Sequence, residues 1–357
     1  MWLNRSLLVL IVGCTSDYKL DPPPPSETIE DSGIIEETEE TTFDLTGSGS
    51  IQGRICDTAG GNYVVDALVS IDYDLNDDGE IEGTVEATTD VDGRFFLGEV
   101  PLGEHIIYVT KGSFSTTIPV VLNTTETLKL AEDECLDPNS VNIAVVTGQY
   151  DHIEVILGDL ALNYDAYDGV GNDYMTLLLD PDKMAEYDII FFNCGMSSSW
   201  TTQYEVVGTN IEEYVADGGS VYASDWAYYI FEAAFPDAVD FYGDDTQAGD
   251  SYVGISGYLS ANVINSTFQD RLGSEVAQLY YDLEIWAVPE TADAEVSVLL
   301  SGDAPILDEW KMDTIMGSPL AVRVDHEAGV AIYTTFHNVS QITVDMQALL
   351  EGIVFSL

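Results

Sequence analysis

The sequence predicts a multidomain chain: an all-β sandwich followed by an α/β domain that carries a β-rich insertion. Three observations point to it. Short alternating apolar runs separated by turn residues fill residues 50–135. From Val141 onward, strongly apolar runs alternate with helical stretches, the pattern of a parallel, doubly wound sheet. The length of 357 residues, with 46% apolar content, is ample for two packed cores.

In chain order, the N-terminus is read first. Arg5 leads an apolar run from Leu7 to Val12, and Ile11-Val12-Gly13-Cys14 places a small residue directly before a cysteine. That run is far shorter than the roughly 20 residues a spanning helix needs. The pattern resembles a bacterial lipoprotein signal. The resemblance implies that residues 1–13 are a signal peptide and that Cys14 carries lipid. It also implies that the mature protein sits in the cell envelope, anchored to the membrane through that lipid. In a Gram-negative cell, Thr15 in place of Asp fits outer-membrane sorting, with exposure at the cell surface. Residues 14–49 then read as a disordered acidic tether. Pro22 to Pro25 stiffens its start, and Glu27 to Asp44 holds too little apolar surface to offset the entropy of ordering.

Within residues 50–135 the runs Ala67–Ile71, Gly93–Leu97, His105–Val109 and Ile118–Leu122 recur at sandwich-like spacing. Gly53-Arg54-Ile55 with Asp57, Ala67-Leu68-Val69, Thr89 to Phe95 and Val100 to His105 resemble the carboxypeptidase regulatory-like (prealbumin-like) β-sandwich. That family implies a stabilising or adhesive module without catalytic residues, in a fold grouped with carbohydrate-binding modules. With Cys14 assigned to lipid and export implying an oxidising compartment, Cys56 and Cys135 are expected to pair and tie the domain's ends, leaving Cys194 as the odd thiol. Between the strands, Asp74-Leu75-Asn76-Asp77-Asp78-Gly79-Glu80-Ile81-Glu82 has the alternating oxygen spacing of a calcium loop. Asp74, Asn76 and Asp78 would ligate by side chain, Glu80 by its carbonyl, and Glu82 directly or through water. The twelfth position is Val85, so the usual bidentate glutamate is missing; the alternative is a solvated acidic hairpin tip.

The second domain reads as strands at Val141–Val146, Leu162–Asp165, Tyr187–Phe192, Ser220–Ala223 and Gly329–Phe336. Helices are expected at Ile153–Leu160, Asn210–Asp217 and Val344–Phe355, with the β-rich insertion over about 246–319. Ala144 to Gly148, Tyr187 to Gly195, Gly218 to Asp225 and Tyr333 to Asn338 resemble the class I glutamine amidotransferase-like fold, a flavodoxin-like sandwich. On that scheme the nucleophile elbow falls at Asp225, or at Ser224 one residue earlier. His337 matches the family histidine, and Val339 stands where a glutamate should be. Two of the three triad members are therefore absent, and amidotransfer is not expected.

Ligands in open α/β sheets bind beyond the carboxyl ends of the strands. The residues there are Gln149-Tyr150-Asp151, Asn193-Cys194, Ser224-Asp225-Trp226 and His337-Asn338. Three readings stand. Asp225, His337 and Asp151 hold a metal or polar ligand, with Asn193 beside them and Tyr150 and Trp226 as aromatic faces. Alternatively, Cys194 or Ser224 is a hydrolase nucleophile activated by His337 and oriented by Asp225. In the third, all are satisfied structural groups. His105, His152 and His326 read as packing or surface residues, and Tyr280-Tyr281 with Trp286 as a stripe whose alternate members are core.

Charge bounds the partners. The chain has 64 acidic residues against 10 basic, a net of −54, and residues 141–357 alone hold 36 acidic against 4 basic. Such a field repels phosphate backbones, which excludes nucleic acid. It fits salt adaptation or a surface that gathers divalent cations. The function expected is non-catalytic binding or adhesion at the envelope, with polysaccharide as the partner class.

Overall fold

A computed structural model describes residues 47–76, 78–243, 251, 253–308, 311–338 and 342–357. The signal peptide, Cys14, nearly all of the tether and Val339 lie outside the described residues.

The first eight strands are β1 Ser48–Cys56, β2 Leu68–Tyr73, β3 Gly83–Thr88, β4 Arg94–Pro101, β5 Gly103–Lys111, β6 Phe114–Leu122, β7 Thr127–Lys129 and β8 Glu134–Cys135. They form two sheets. One has the order β4-β1-β7, with β8 also on β1, and the other is β3-β2-β5-β6. Alternation assigns the faces: Ile51 and Ile55 of β1, Phe95 and Leu97 of β4, Val69 and Ile71 of β2, and Ile107 and Val109 of β5 are buried in one cluster. β1 begins at Ser48, so the expected tether ends two residues sooner than 49; alternation already places Gly49 beneath Leu122 and Ile51 in the core.

The remaining strands are β9 Ile143–Val146, β10 Asp165–Tyr167, β11 Ile189–Phe192, β12 Ser220–Ser224, β13 Val239–Phe241, β14 Gly257–Val263, β15 Val276–Tyr281, β16 Pro289–Ala292, β17 Ser297–Asp308, β18 Lys311–His326 and β19 Gly329–Thr334. The helices are α1 Ile153–Asp159, α2 Met175–Leu178, α3 Pro181–Met184, α4 Tyr204–Ala216, α5 Tyr228–Ala234, α6 Ser266–Leu272 and α7 Val344–Val354. Nine strands make one sheet, β10-β9-β11-β12-β19-β18-β17-β14-β15. Its first five members are parallel. In chain order they run second, first, third, fourth, fifth, the order of flavodoxin-like sheets. The fully buried runs of β9, β11 and β12 need cover on both faces, which an all-parallel stretch always has.

Three sequence expectations are corrected. The region 246–319 is β-rich and falls in the chain between the sheet neighbours β12 and β19, but it is not set apart from their sheet: β14, β15 and β17 continue it antiparallel beyond β18, and β16 pairs with β13. The second strand is Asp165–Tyr167 instead of Leu162–Asp165, because Leu162 turns inward after a left-handed Ala161. Helix α4 starts at Tyr204, six residues before Asn210, because the turn at Ser198–Gln203 feeds it directly.

Residues 45–357 form one compact unit. A single apolar cluster runs from Ile51 of the sandwich to Leu357 of the α/β body. Phe114 and Phe355 meet edge to face at 5.0 Å. The Ser113 N–H donates to the carbonyl of Leu357 at 2.6 Å, and the Thr58 hydroxyl to that of Leu160 at 2.5 Å. No described helix is long and apolar enough to cross a membrane.

Candidate functional site

The parallel strands deliver Asp151, Asn193, Cys194, Ser224, Asp225 and His337 to one rim, as topology requires of residues that follow strand carboxyl ends. The elbow is Asp225. It directly follows β12, opens the turn Asp225–Ala227 that enters α5, and has φ +43°. A non-glycine residue there is strained, and such strain concentrates at sites held by their surroundings. The surroundings are visible. Oδ1 accepts the Ala287 N–H at 2.9 Å, Oδ2 accepts the Cys194 thiol at 3.3 Å, and His337 Nε2 lies 3.5 Å from the same Oδ2. The Tyr333 hydroxyl donates to the Asp225 carbonyl at 3.2 Å.

Ser224 belongs to a second chain of contacts. Its hydroxyl donates to Asp151 Oδ2 at 2.5 Å and accepts the Cys194 N–H at 3.0 Å. Asp151 Oδ1 takes the Asn338 N–H at 3.1 Å. The Asn193 amide donates to the Asp151 carbonyl at 3.3 Å and to Glu154 Oε2 at 3.0 Å. These six rim residues are buried, whereas Gln149, Tyr150 and Trp226 reach solvent; the Tyr150 and Trp226 rings pack at 5.7 Å and the Trp226 indole N–H donates to the Ile285 carbonyl.

The electrostatics follow from burial. Desolvation, then the Asp225 carboxylate, push the Cys194 thiol well above its ordinary value, so it stays protonated. Burial raises Asp151 against the opposing pull of His337 and of its hydrogen bonds. For His337 burial works downward, but the Asp225 hydrogen bond and the Asp151, Asp225 and Asp282 carboxylates outweigh it and raise the imidazole. Among the described residues, neither expected nucleophile is hydrogen-bonded to His337. The Cys194 thiol donates a hydrogen bond to Asp225, and the Ser224 hydroxyl donates one to Asp151.

The expected cation loop also assembles in part. Carboxylate oxygens of Asp74, Asp78 and Glu82 lie within 4.8 Å of one another. Asp74 accepts the Asn76 and Gly79 N–H groups, Asn76 accepts that of Asp78, and Asp78 accepts that of Glu80. Gly79 has φ +86°, the left-handed turn the spacing requires. Glu82 is bound by the Leu75 N–H and the Asn76 amide, each at 2.5 Å. Asp77 lies outside the described residues. Cys56 and Cys135 are disulfide-bonded, with Cα atoms 4.3 Å apart, and Cys194 is a free, buried thiol. His105 hydrogen-bonds the Pro101 carbonyl and His326 faces Glu212, while Tyr281 and Trp286 stack in the core at 4.0 Å.

Sequence reasoning missed a cleft of about 590 Å³ on the sandwich. Its lining includes Gln52, Phe96 and three of the chain's ten basic residues, Arg54, Arg94 and Lys129, beside the carboxylates of Asp90, Glu132 and Asp133. Cross-strand register sets Phe96 beside Gln52, Gln52 beside Lys129, and Arg54 opposite Arg94. Two like charges in register disfavour the pairing, so the sheet carries them at a cost. Arg94 is bridged to Asp92, whereas Arg54 lies over the Tyr63 ring at 3.3 Å, and Lys129 has no ion pair among the described residues. Phe96 is 57% exposed. The available signal was outward alternation of cations on β1, β4 and β7 in a cation-poor chain.

The class so defined is a β-sandwich fused through a continuous core to a strand-rich α/β body with a closed polar rim. No protein-family model matches the sequence, and no curated protein matches it. Among solved structures, a cytoplasmic protein of Salmonella typhimurium LT2 is 13% identical over 60% of this chain and 96% of its own, at TM-score 0.41. A glutamine amidotransferase of Thermotoga maritima is 13% identical over 55% and 75%, at 0.37. A Pseudomonas aeruginosa protein assigned to carbohydrate binding is 17% identical over 30% and 99%, at 0.20. At these scores function is left to the chain's own residues.

Proposed function

We propose that this chain is a lipid-anchored envelope protein that binds polysaccharide without catalysis, on a prealbumin-like sandwich fused to an amidotransferase-like body. The observation that carries the reading is the state of the elbow. Acyl transfer needs a nucleophile presented to the histidine. Here Asp225 fills that position, its carboxylate is engaged by Ala287, Cys194 and His337, and the thiol is held protonated. Binding is then assigned to the open sandwich cleft, where an exposed phenyl ring, an amide and three cations offer stacking and hydrogen bonds to a sugar chain.

Retention of the full chain on immobilised polysaccharides tests this, with uronate-bearing and neutral polymers compared. Phe96→Ala and Lys129→Ala should each weaken retention about tenfold at unchanged Tm. Failure to be retained on any polymer would overturn the binding reading. Turnover of glutamine or of activated esters that disappears in His337→Ala would overturn the non-catalytic one. Partition into a detergent phase, abolished by Cys14→Ala, tests the anchor.

A second reading concerns calcium. Three carboxylates within 4.8 Å repel one another, and a hard dication relieves that repulsion. Calcium should raise Tm in the parent and not in the Asp74→Ala, Asp78→Ala double variant. A parent indifferent to millimolar calcium would remove the site.

A further inference from the structure

We propose that Cys194, Asp225 and His337 form a divalent transition-metal site of the zinc class, distinct from the acidic loop and from the sandwich cleft. Sulfur, oxygen and nitrogen donors arrive from the ends of β11, β12 and β19, with side-chain atoms all within 4.8 Å of one another. Zinc-type bonds of about 2.0–2.3 Å in a tetrahedron set donor-to-donor edges of roughly 3.3–3.6 Å. The Cys194 Sγ to Asp225 Oδ2 separation is 3.3 Å, and His337 Nε2 to the same Oδ2 is 3.5 Å. Two of the three edges therefore stand at tetrahedral length.

The surroundings suit a held ion. The three residues are 0%, 2% and 6% exposed, so a bound metal is shielded from competing water. Asp225 is oriented from outside the cluster by the Ala287 N–H on Oδ1, the supporting contact a ligating carboxylate needs. His337 Nδ1 is buried with no hydrogen-bond partner among the described residues, and Nε2 faces Asp225 Oδ2 within the cluster itself. Charge balance also fits: thiolate, carboxylate and neutral imidazole together neutralise a dication. The sulfur excludes hard ions, so calcium and magnesium belong to the acidic loop instead. Loading breaks the Cys194 S–H bond and, where His337 is protonated on Nε2, that N–H bond as well; the sulfur and the imidazole nitrogen bond the metal, the protons leave to solvent, and no oxidation state changes. The consequence is a cross-link of three strand ends at the rim. Neither the lipid anchor nor polysaccharide binding is required for it.

Cobalt(II) titration of the full chain carrying Cys14→Ala tests the proposal. With Cys56 and Cys135 disulfide-bonded, Cys194 is then the one free thiol among the four cysteines. Expected is a saturable thiolate-to-cobalt charge-transfer band in the near ultraviolet with intense visible ligand-field bands. Zinc should displace it, and calcium should not. Cys194→Ser should abolish the charge-transfer band, while Asp225→Asn and His337→Gln should each weaken zinc competition by about 100-fold or more. Absence of the band at saturating cobalt in parent protein with native circular dichroism would overturn the proposal. So would a band unchanged in His337→Gln. If the Asp225 variant fails to fold, the parent titration and the histidine variant still decide.

Discussion

Asp225 holds a left-handed backbone, φ +43°, and a carboxylate with three donors around it. These two features separate by substitution. Asp225→Ala removes the carboxylate and keeps the strain, leaving buried His337 without its hydrogen-bonded carboxylate partner; breaking a buried pair costs about 3–5 kcal/mol. Asp225→Gly removes the same carboxylate but relieves the backbone, worth about 1–2 kcal/mol. Glycine should therefore be the milder change by about that margin in chemical denaturation. Equal losses would mean that the strain is illusory. The rim also predicts a pH dependence. Asp151 and His337 both titrate above their ordinary values when folded. Each then binds its proton more tightly folded than unfolded, so its contribution is full below the unfolded value and is lost as pH rises through the folded one. From about pH 6.5 upward, Tm should fall in the parent and fall less steeply in His337→Gln. Parallel curves would show that His337 is not raised.

At the scale of elements, the parallel strands were legible because runs such as Ile189–Phe192 can only be buried on both faces, and each run's polar successor marks its carboxyl end. Rim membership of Asp151, Cys194, Asp225 and His337 followed from that alone. The Ala287 N–H and the Ile285 carbonyl could not be foreseen, because backbone groups carry no sequence signature and strand partners are not written in local alternation. The same blindness turned the antiparallel half of the main sheet into an apparent insertion. In the sandwich, β8 is two residues long and lies parallel to β1 with Cys56 opposite Cys135, so the disulfide holds what two residues of pairing cannot. The bond spans 79 residues of sequence. Cys56→Ala with Cys135→Ala should cost roughly 4 kcal/mol by loop entropy, with reductant destabilising the parent alone. A parent insensitive to reductant under denaturing conditions would contradict the cross-link.

Over the whole molecule, three of the ten cations, Lys111, Arg271 and Arg323, join elements at internal seams. Lys111 and Arg323 line the seam between sandwich and body; Lys111 donates to the Asp66 carbonyl, and Arg323 to that of Ser356 at 2.6 Å. Burial holds Lys111 below the ordinary lysine value, with the Asp66 carboxylate opposing and Arg323 reinforcing the shift. Arg271 joins α6 to α7 through Glu351 at 2.5 Å, largely out of water. What remains on the surface is overwhelmingly negative, for a net of −54. Like charges crowded on a compact body favour expansion, and salt weakens that repulsion as the screening length contracts from about 30 Å at 0.01 M to about 8 Å at 0.15 M. Surface ion pairs, which salt would weaken in the opposite sense, are too few here to compensate. Sodium chloride between those concentrations should therefore raise Tm, most steeply at the low end, while sucrose at matched osmolality should not reproduce the steep initial rise. Neutralising substitutions on the exposed faces should flatten the curve in proportion to the charge removed, wherever they are placed. A Tm that falls with salt over this range would mean that attraction, not repulsion, dominates the surface.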